Sequence, residues 1–161
     1  MADFDRILAE MGPALQRMAA VYERDLALRQ DLVQDMLIAI ARALPQLRDE
    51  SRLKPFVFRI VHNKGVDHVV RRVAAPAEEE IPEAAAGARA SPEEEIIARQ
   101  RSERLVAAVR RLDLPYRQVI VLLLEDLSYA EIAETLGLGV SNVGVRINRA
   151  KALLRSLLDH E

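Results

Sequence analysis

Residues 127–155, LSYAEIAETLGLGVSNVGVRINRAKALLR, leave this chain little freedom in how it can fold. Ser128 and Glu131 form an S-x-x-E pair, in which the hydroxyl caps the Glu131 amide and the carboxylate reaches back to the cap. The pair predicts a short helix over 129–136 with Ile132, Ala133 and Leu136 on one face. Gly137 then supplies the residue that most easily closes a helix in the left-handed conformation. A second helix is expected from Ser141, its apolar stripe running Val143, Ile147, Ala150 and Leu154 at helical steps. Small Ala133 lets the two helices cross closely, and Asn142, Arg146, Asn148, Arg149 and Lys151 lie off the stripe. Two helices, a tight glycine turn and a polar second helix make a helix-turn-helix that reads DNA. A helical hairpin with a merely solvated outer face is the alternative these residues leave open.

The rest of the composition fits a soluble helical protein. Half of the 161 residues are hydrophobic and 30% are charged, with few Gly and Pro and no β-type alternation. Cys is absent, which excludes disulfides, thiolate metal sites and cysteine nucleophiles. The N-terminus, MADFDRILAEMG, lacks the basic and apolar regions of a signal peptide. The longest apolar run, 119–124, is far too short to span a bilayer. A cytoplasmic protein with no membrane insertion is expected. The net charge of −2 conceals a segregation. Residues 1–72 hold 12 Lys/Arg against 10 Asp/Glu, residues 73–95 one Arg against seven Glu, and residues 96–161 ten against eight. Two mildly basic blocks flank an acidic connector.

Apolar periodicity predicts the remaining helices. Phe4, Ile7, Leu8 and Met11 open a first helix, stopped or bent at Gly12-Pro13 and continued by Leu15, Met18, Ala19 and Tyr22 to about Arg24. The next helix spans 29–44, with Leu32, Val33, Met36, Ile40 and Leu44 inward, and ends at Pro45. A charged loop over 46–54 leads to Pro55, which opens a helix through Phe56, Ile60, Val61 and Val69 to Arg72. Residues 73–90 have no lasting periodicity, two prolines and a glutamate run, so a flexible acidic linker is expected there. Ser91-Pro92-Glu93-Glu94 starts another helix carrying Ile97, Leu105, Val106, Val109 and Leu112. A strongly apolar helix over 116–126 precedes the helix-turn-helix. The expected fold is all-α: two small helical domains, 1–72 and 96–161, joined by the linker 73–95, the second a four-helix domain. His62 and His68, with Asp67 between them, are six residues apart and do not align as helical ligands, so neither a metal nor a cofactor is expected. No nucleophile–base pair suggests an enzyme.

Two blocks now resemble one family. Asp31-Leu32-Val33-Gln34-Asp35, then Arg59-Ile60-Val61-His62-Asn63, Asp67 and Arg71-Arg72, resemble region 2 of the extracytoplasmic-function (ECF) sigma factors. Leu114-Pro115-Tyr116-Arg117 through Leu158, with LSYAEIAETLGL inside, resembles region 4 of the same family. The resemblance implies a dissociable initiation subunit of bacterial RNA polymerase. Its first domain docks on the clamp of the largest core subunit and opens the −10 promoter element; its second sits on the flap of the other large subunit and reads the −35 element. It further implies an anti-sigma protein as antagonist.

Mapped onto this chain, the resemblance assigns clamp docking to Asp31, Gln34 and Asp35, a polar, charge-complementary face. Melting needs cations for phosphates and groups that hold unstacked bases. Arg48, Arg52, Lys54, Arg59, Lys64, Arg71 and Arg72 supply the charge, Asn63 and Asp67 base-edge hydrogen bonds, and His62 a weak phosphate contact. Of the two aromatics, Phe56 is expected in the core and Phe58 against DNA. The −35 face is Ser141, Asn142, Val145, Arg146 and Arg149, where Asn142 suits adenine, Arg146 guanine or phosphate, and Val145 a thymine methyl. The chain departs from the family pattern in having no Trp, with Ile40 and Phe56 at the equivalent places. It also has Gly144 and Val145 where a polar residue and Ser are common, and Gly139 in place of a cap serine. A weak or unusual −35 interaction is therefore expected. Competing readings are a free-standing DNA-binding regulator and a degenerate sigma-like protein that binds polymerase or an antagonist without reading promoters.

Overall fold

The computed structural model describes residues 3–74 and 92–160, and among them every regular element is helical. Helix α1, Phe4–Tyr22, starts at the Asp3 cap, whose carboxylate accepts from the Asp5 amide. The helix is not stopped at Gly12-Pro13. Pro13 lies inside one continuous helix, and both it and Ala9, whose carbonyl it leaves unbonded, are exposed to water. Helix α2, Leu26–Ala43, is capped by Asp25, which accepts from the Leu28 amide at 3.0 Å. A 3-10 turn, Leu44–Gln46, follows α2, a second, Glu50–Arg52, lies within the expected loop, and α3, Leu53–Ala74, begins two residues before Pro55.

The second half comprises α4 (Glu93–Arg110), α5 (Leu114–Leu124), α6 (Tyr129–Leu136) and α7 (Val140–Asp159). Helix α3 runs past residue 72 and α4 begins before residue 96, so helices take both edges of the expected linker; residues 75–91 lie outside the described residues. One expectation about α4 fails. Ile97 is half exposed beside an exposed Ile96, because the N-terminal half of α4 extends beyond the helices it packs on. Its core contribution begins further along, with Ala108 and Val109 fully buried.

The helix-turn-helix forms as its local signals require. Both arms of the capping box are made, Ser128 N to Glu131 Oε1 at 2.9 Å and Glu131 N to Ser128 Oγ at 3.1 Å. Gly137 closes α6 at φ 68°, and the Leu138 amide returns to the Ala133 carbonyl at 2.9 Å. Gly139 begins α7 without a side-chain cap. Val143, Ile147, Ala150 and Leu154 are all buried, against Ile132 and Ala133 of α6 and the apolar face of α5.

The two halves do not stand apart. Helix α1 packs against α4 and α5, and α3 against α6, so one hydrophobic core runs through both. Within the first half, the Tyr22 ring lies directly over Gly65 of α3, so that a Cβ at residue 65 would come within 2.5 Å of it. At Gly144 a Cβ would meet only the edge of Tyr129, at 3.7 Å. The two glycines therefore separate cleanly. Gly144→Ala is expected to stabilise the protein by about 0.5–1 kcal/mol through helix propensity. Gly65→Ala is expected to destabilise it by about 1–3 kcal/mol through overpacking. Urea unfolding of both variants measures the contrast.

Candidate nucleic-acid interface

The outer face of α7 is built by subtraction. With its apolar stripe turned inward, Ser141, Asn142, Val145 and Arg149 are left exposed and Arg146 half-buried. Arg146 does not hang free: its Nε donates to Asn142 Oδ1 at 3.1 Å, one helical turn earlier. That bond ties the guanidinium to the helix surface through Nε and leaves its terminal nitrogens out of this bond, so that they can serve a base edge or phosphate. Beside this face the start of α5 brings Asp113, Pro115 and Tyr116 into a shallow cleft with Asn142, Val145, Arg146 and Arg149. Asp113 and Tyr116 were not among the sequence candidates. The only signal for them is their place at a helix start, which does not say that the start abuts α7.

Helix α3 carries the second surface. Arg59, Asn63, Asp67 and Arg71, four residues apart, form one exposed row along it. Arg48, Arg52 and Lys54 are exposed on the approach to that row, and Lys64 is half-buried. Two of these cations already have partners on α6: Arg52 pairs with Glu134, and Lys54 Nζ lies 3.9 Å from Glu131 Oε2. Arg72 is engaged as well, donating from Nε to Glu23 Oε1 at 2.8 Å.

Two expected contacts on α3 are corrected. Phe58 is buried at 3% exposure, while Phe56 packs against the core as expected but stays half-buried, lining a groove with Arg52, Pro55 and Arg59. The buried stripe of α3 is Val57, Phe58, Val61, His62 and Gly65, one residue out of phase with the face that puts Phe56 inward. His62 belongs to that stripe and is not a phosphate contact. Its Nδ1 lies 3.3 Å from Asn63 Oδ1, its Nε2 is buried with no hydrogen-bond partner, and burial, helped by the nearby Arg59 charge, lowers its pKa to about 4.

The other histidine sits in an ion cluster. Glu23 is 4% exposed, and His68 Nε2 lies 2.9 Å from its Oε1. Burial opposes the Glu23 charge, but the hydrogen bonds from His68 and the Asp25 amide and the Arg72 charge outweigh it and hold the carboxyl below its ordinary value. On α2, Asp31, Gln34 and Asp35 form one exposed face, continued a turn later by Ile38, which is 47% exposed.

Comparison with known proteins is consistent with this geometry. The family described as sigma-70 region 2 matches residues 7–74, and the one described as sigma-70, region 4 matches residues 102–154. The chain is 33% identical to the RNA polymerase sigma factor CnrH of Cupriavidus metallidurans, over 97% of this chain and 86% of that protein. It superposes on CnrH in complex with the cytosolic domain of CnrY with a TM-score of 0.71 at 31% identity, covering 98% of this chain and 88% of the other. The sigma factor RpoE of Bartonella quintana, in complex with the anti-sigma factor NepR, shares the fold with a TM-score of 0.76 at 23% identity, covering 99% and 98%.

The buried histidine has a measurable consequence. Its pKa is lower folded than unfolded, so between about 4 and 6.5 the unfolded chain binds more protons and stability rises with pH. The full contribution is expected above the unfolded value, with a loss of up to about 3 kcal/mol as pH falls from 6.5 to 4. The loss tied to Glu23 comes lower, below its ordinary value of 4.5. Stability taken from unfolding curves across this range should fall with acid for the wild type and depend much less on pH above 4.5 for His62→Leu.

Proposed function

Because the chain belongs to the sigma-70 family, as an RNA polymerase sigma factor of the ECF type, we propose that its two polar surfaces divide promoter recognition between them. Region 4, residues 96–161, reads the −35 element through Ser141, Asn142, Val145, Arg146 and Arg149. Region 2, residues 1–72, captures the opened −10 strand through the row Arg59, Asn63, Asp67 and Arg71, with Arg48, Arg52, Lys54 and Lys64 on phosphates. The observation that carries this reading is the exposed outer face of α7, held by a capped helix-turn-helix, with Arg146 already oriented by Asn142.

The chemistry of each surface suits its task. Melting needs cations and a stacking group more than base-specific geometry. Phe56, beside Arg52 and Arg59, takes the stacking role that Phe58, now in the core, gives up. On α7 a bidentate arginine and an amide read base edges in the major groove, and Val145, 48% exposed, suits a thymine methyl. Tyr116 adds a hydroxyl at the rim of the same cleft. Asp31, Gln34 and Asp35 present carboxylates and an amide to a basic clamp surface, with Ile38 as the apolar centre of that contact. The protein performs no catalysis of its own: phosphodiester chemistry belongs to the polymerase it directs. No described helix is long and apolar enough to cross a membrane, and the proposed site of action is the cytoplasm. An anti-sigma protein, like the one bound to the sigma factor RpoE, is the natural antagonist.

Transcription in vitro tests the reading. Purified protein is mixed with sigma-free core polymerase and fragmented genomic DNA, and transcript starts are mapped. Discrete starts that share a spaced two-part upstream sequence are expected. Arg146→Ala should lower initiation about 5- to 100-fold and relax preference at one −35 base pair, the cost of one base contact. Asp35→Arg should weaken core binding without altering which starts are used. Binding to core polymerase without new starts would overturn the reading in favour of a degenerate sigma-like protein.

A further inference from the structure

Among the described residues, polar contacts cross between the halves of the molecule on two sides, and they are unevenly placed. On one side Arg17 of α1 grips Glu125 at the end of α5 with two bonds, of 2.7 and 2.8 Å, and the Glu125 side chain is only 8% exposed. Nearby, Arg110 of α4 donates to the Ala20 carbonyl at 2.7 Å. On the other side Glu134 and Glu131 of α6 meet Arg52 and Lys54. The first pair of contacts joins groups with no part in DNA recognition. The second pair covers cations assigned to DNA phosphate, and Glu134 and Thr135 also form one wall of the groove that holds Phe56 and Arg59.

We propose that α6 acts as an intramolecular mimic of nucleic-acid backbone: in the free protein the acidic face Glu131–Glu134 occupies the phosphate site of region 2 and keeps it from single-stranded DNA. The inference rests on the melting role given above to the start of α3. The geometry is selective. Glu134 and Glu131 compete with phosphate for Arg52 and Lys54, and Glu134 and Thr135 narrow the groove beside Phe56. By contrast Ser141, Asn142, Val145 and Arg149 point away from this contact and stay exposed. The closed chain therefore weakens −10 capture at the start of α3 and leaves the −35 face open.

The strength of the contacts matches a latch that opens. Arg52 and Glu134 keep 56% and 45% of their side-chain surface exposed, and exposed pairs of this kind are individually weak and salt-screened. A strand of phosphates held in place by polymerase would outcompete them. The shared apolar core and the better buried Arg17–Glu125 pair supply the rest of the closure.

The test uses the full chain and a fluorescein-labelled single-stranded oligonucleotide of mixed A/T sequence at low salt, followed by anisotropy. Glu131→Gln with Glu134→Gln removes the mimic yet keeps the cap, since glutamine serves at that position of a capping box. The double variant is expected to bind the strand about three- to tenfold more tightly than the wild type. Glu93→Gln with Glu94→Gln makes the same charge change at the exposed start of α4 and controls for it. Adding Lys54→Ala to the first double variant should cancel part of the gain. Small-angle scattering of the wild type should give a radius of gyration near about 15 Å, that of one closed body of this length. An equal gain in both double variants, no gain in either, or an extended wild type at low salt overturns the latch. Failure of the promoter reading is scored separately, by the absence of mapped starts with core polymerase.

Discussion

A carboxylate buried at the end of α1 has to be neutralised, and the arrangement of the first three helices follows from how this is done. Glu23 is 4% exposed, and an unpaired charge at that depth would be strongly destabilising. Its oxygens accept from the Asp25 amide at the start of α2 and from Arg72 of α3, with His68 of α3 at 2.9 Å. Its backbone carbonyl accepts from Arg29 of α2 at 3.0 Å. One residue thus fixes where α1 ends, where α2 begins and how the C-terminal end of α3 is held. The neighbouring Tyr22 completes the arrangement by packing its ring where Gly65 lacks a side chain.

The consequences reach the nucleic-acid surface. With the end of α3 tied to Glu23 and its middle pressed under Tyr22, the rotation of that helix is set, and with it the row Arg59, Asn63, Asp67 and Arg71. Arg72 emerges as part of the anchor as much as of the DNA surface, since its Nε is committed to Glu23. Its loss would remove a proposed phosphate contact and also leave a buried carboxylate short of a partner, so the two effects would be mixed in any measurement on that residue.

What the sequence disclosed, and what it withheld, divides along the same line. The helix-turn-helix is written in local terms: a cap, a residue three positions on that returns the bond, a glycine that takes positive φ and an unambiguous apolar stripe. Those signals act within a few residues, and α6 forms over the expected range. Helix α3 offers no such certainty. Apolar residues at 53, 56, 57, 58, 60 and 61 surround its first turns, so periodicity admits two neighbouring phases. Tertiary packing chooses between them, burying Phe58 and His62 and leaving Phe56 half-buried against the core. Ile97 misleads for a related reason: periodicity tells which side of α4 is apolar but not how far the helix is covered. The Arg52–Glu134 and Arg17–Glu125 contacts, being non-local, left no pattern to read.

The chemistry of α6 then takes on a second meaning. Glu131 is required locally, because it closes the capping box that starts the helix-turn-helix. Its carboxylate lies below its ordinary pKa through the Ser128 backbone bond above all, so it stays charged near neutral pH. Glu134, one turn later, has no such structural duty, yet it stands on the same acidic face and meets Arg52. A helix that needed only to support α7 would be served as well by a neutral or basic residue there, and a basic residue would suit a DNA-binding unit better. The acidic choice makes sense if the face is turned toward cations in the same chain. The domain proposed to read DNA on one side carries, on the other, a surface with the charge of DNA.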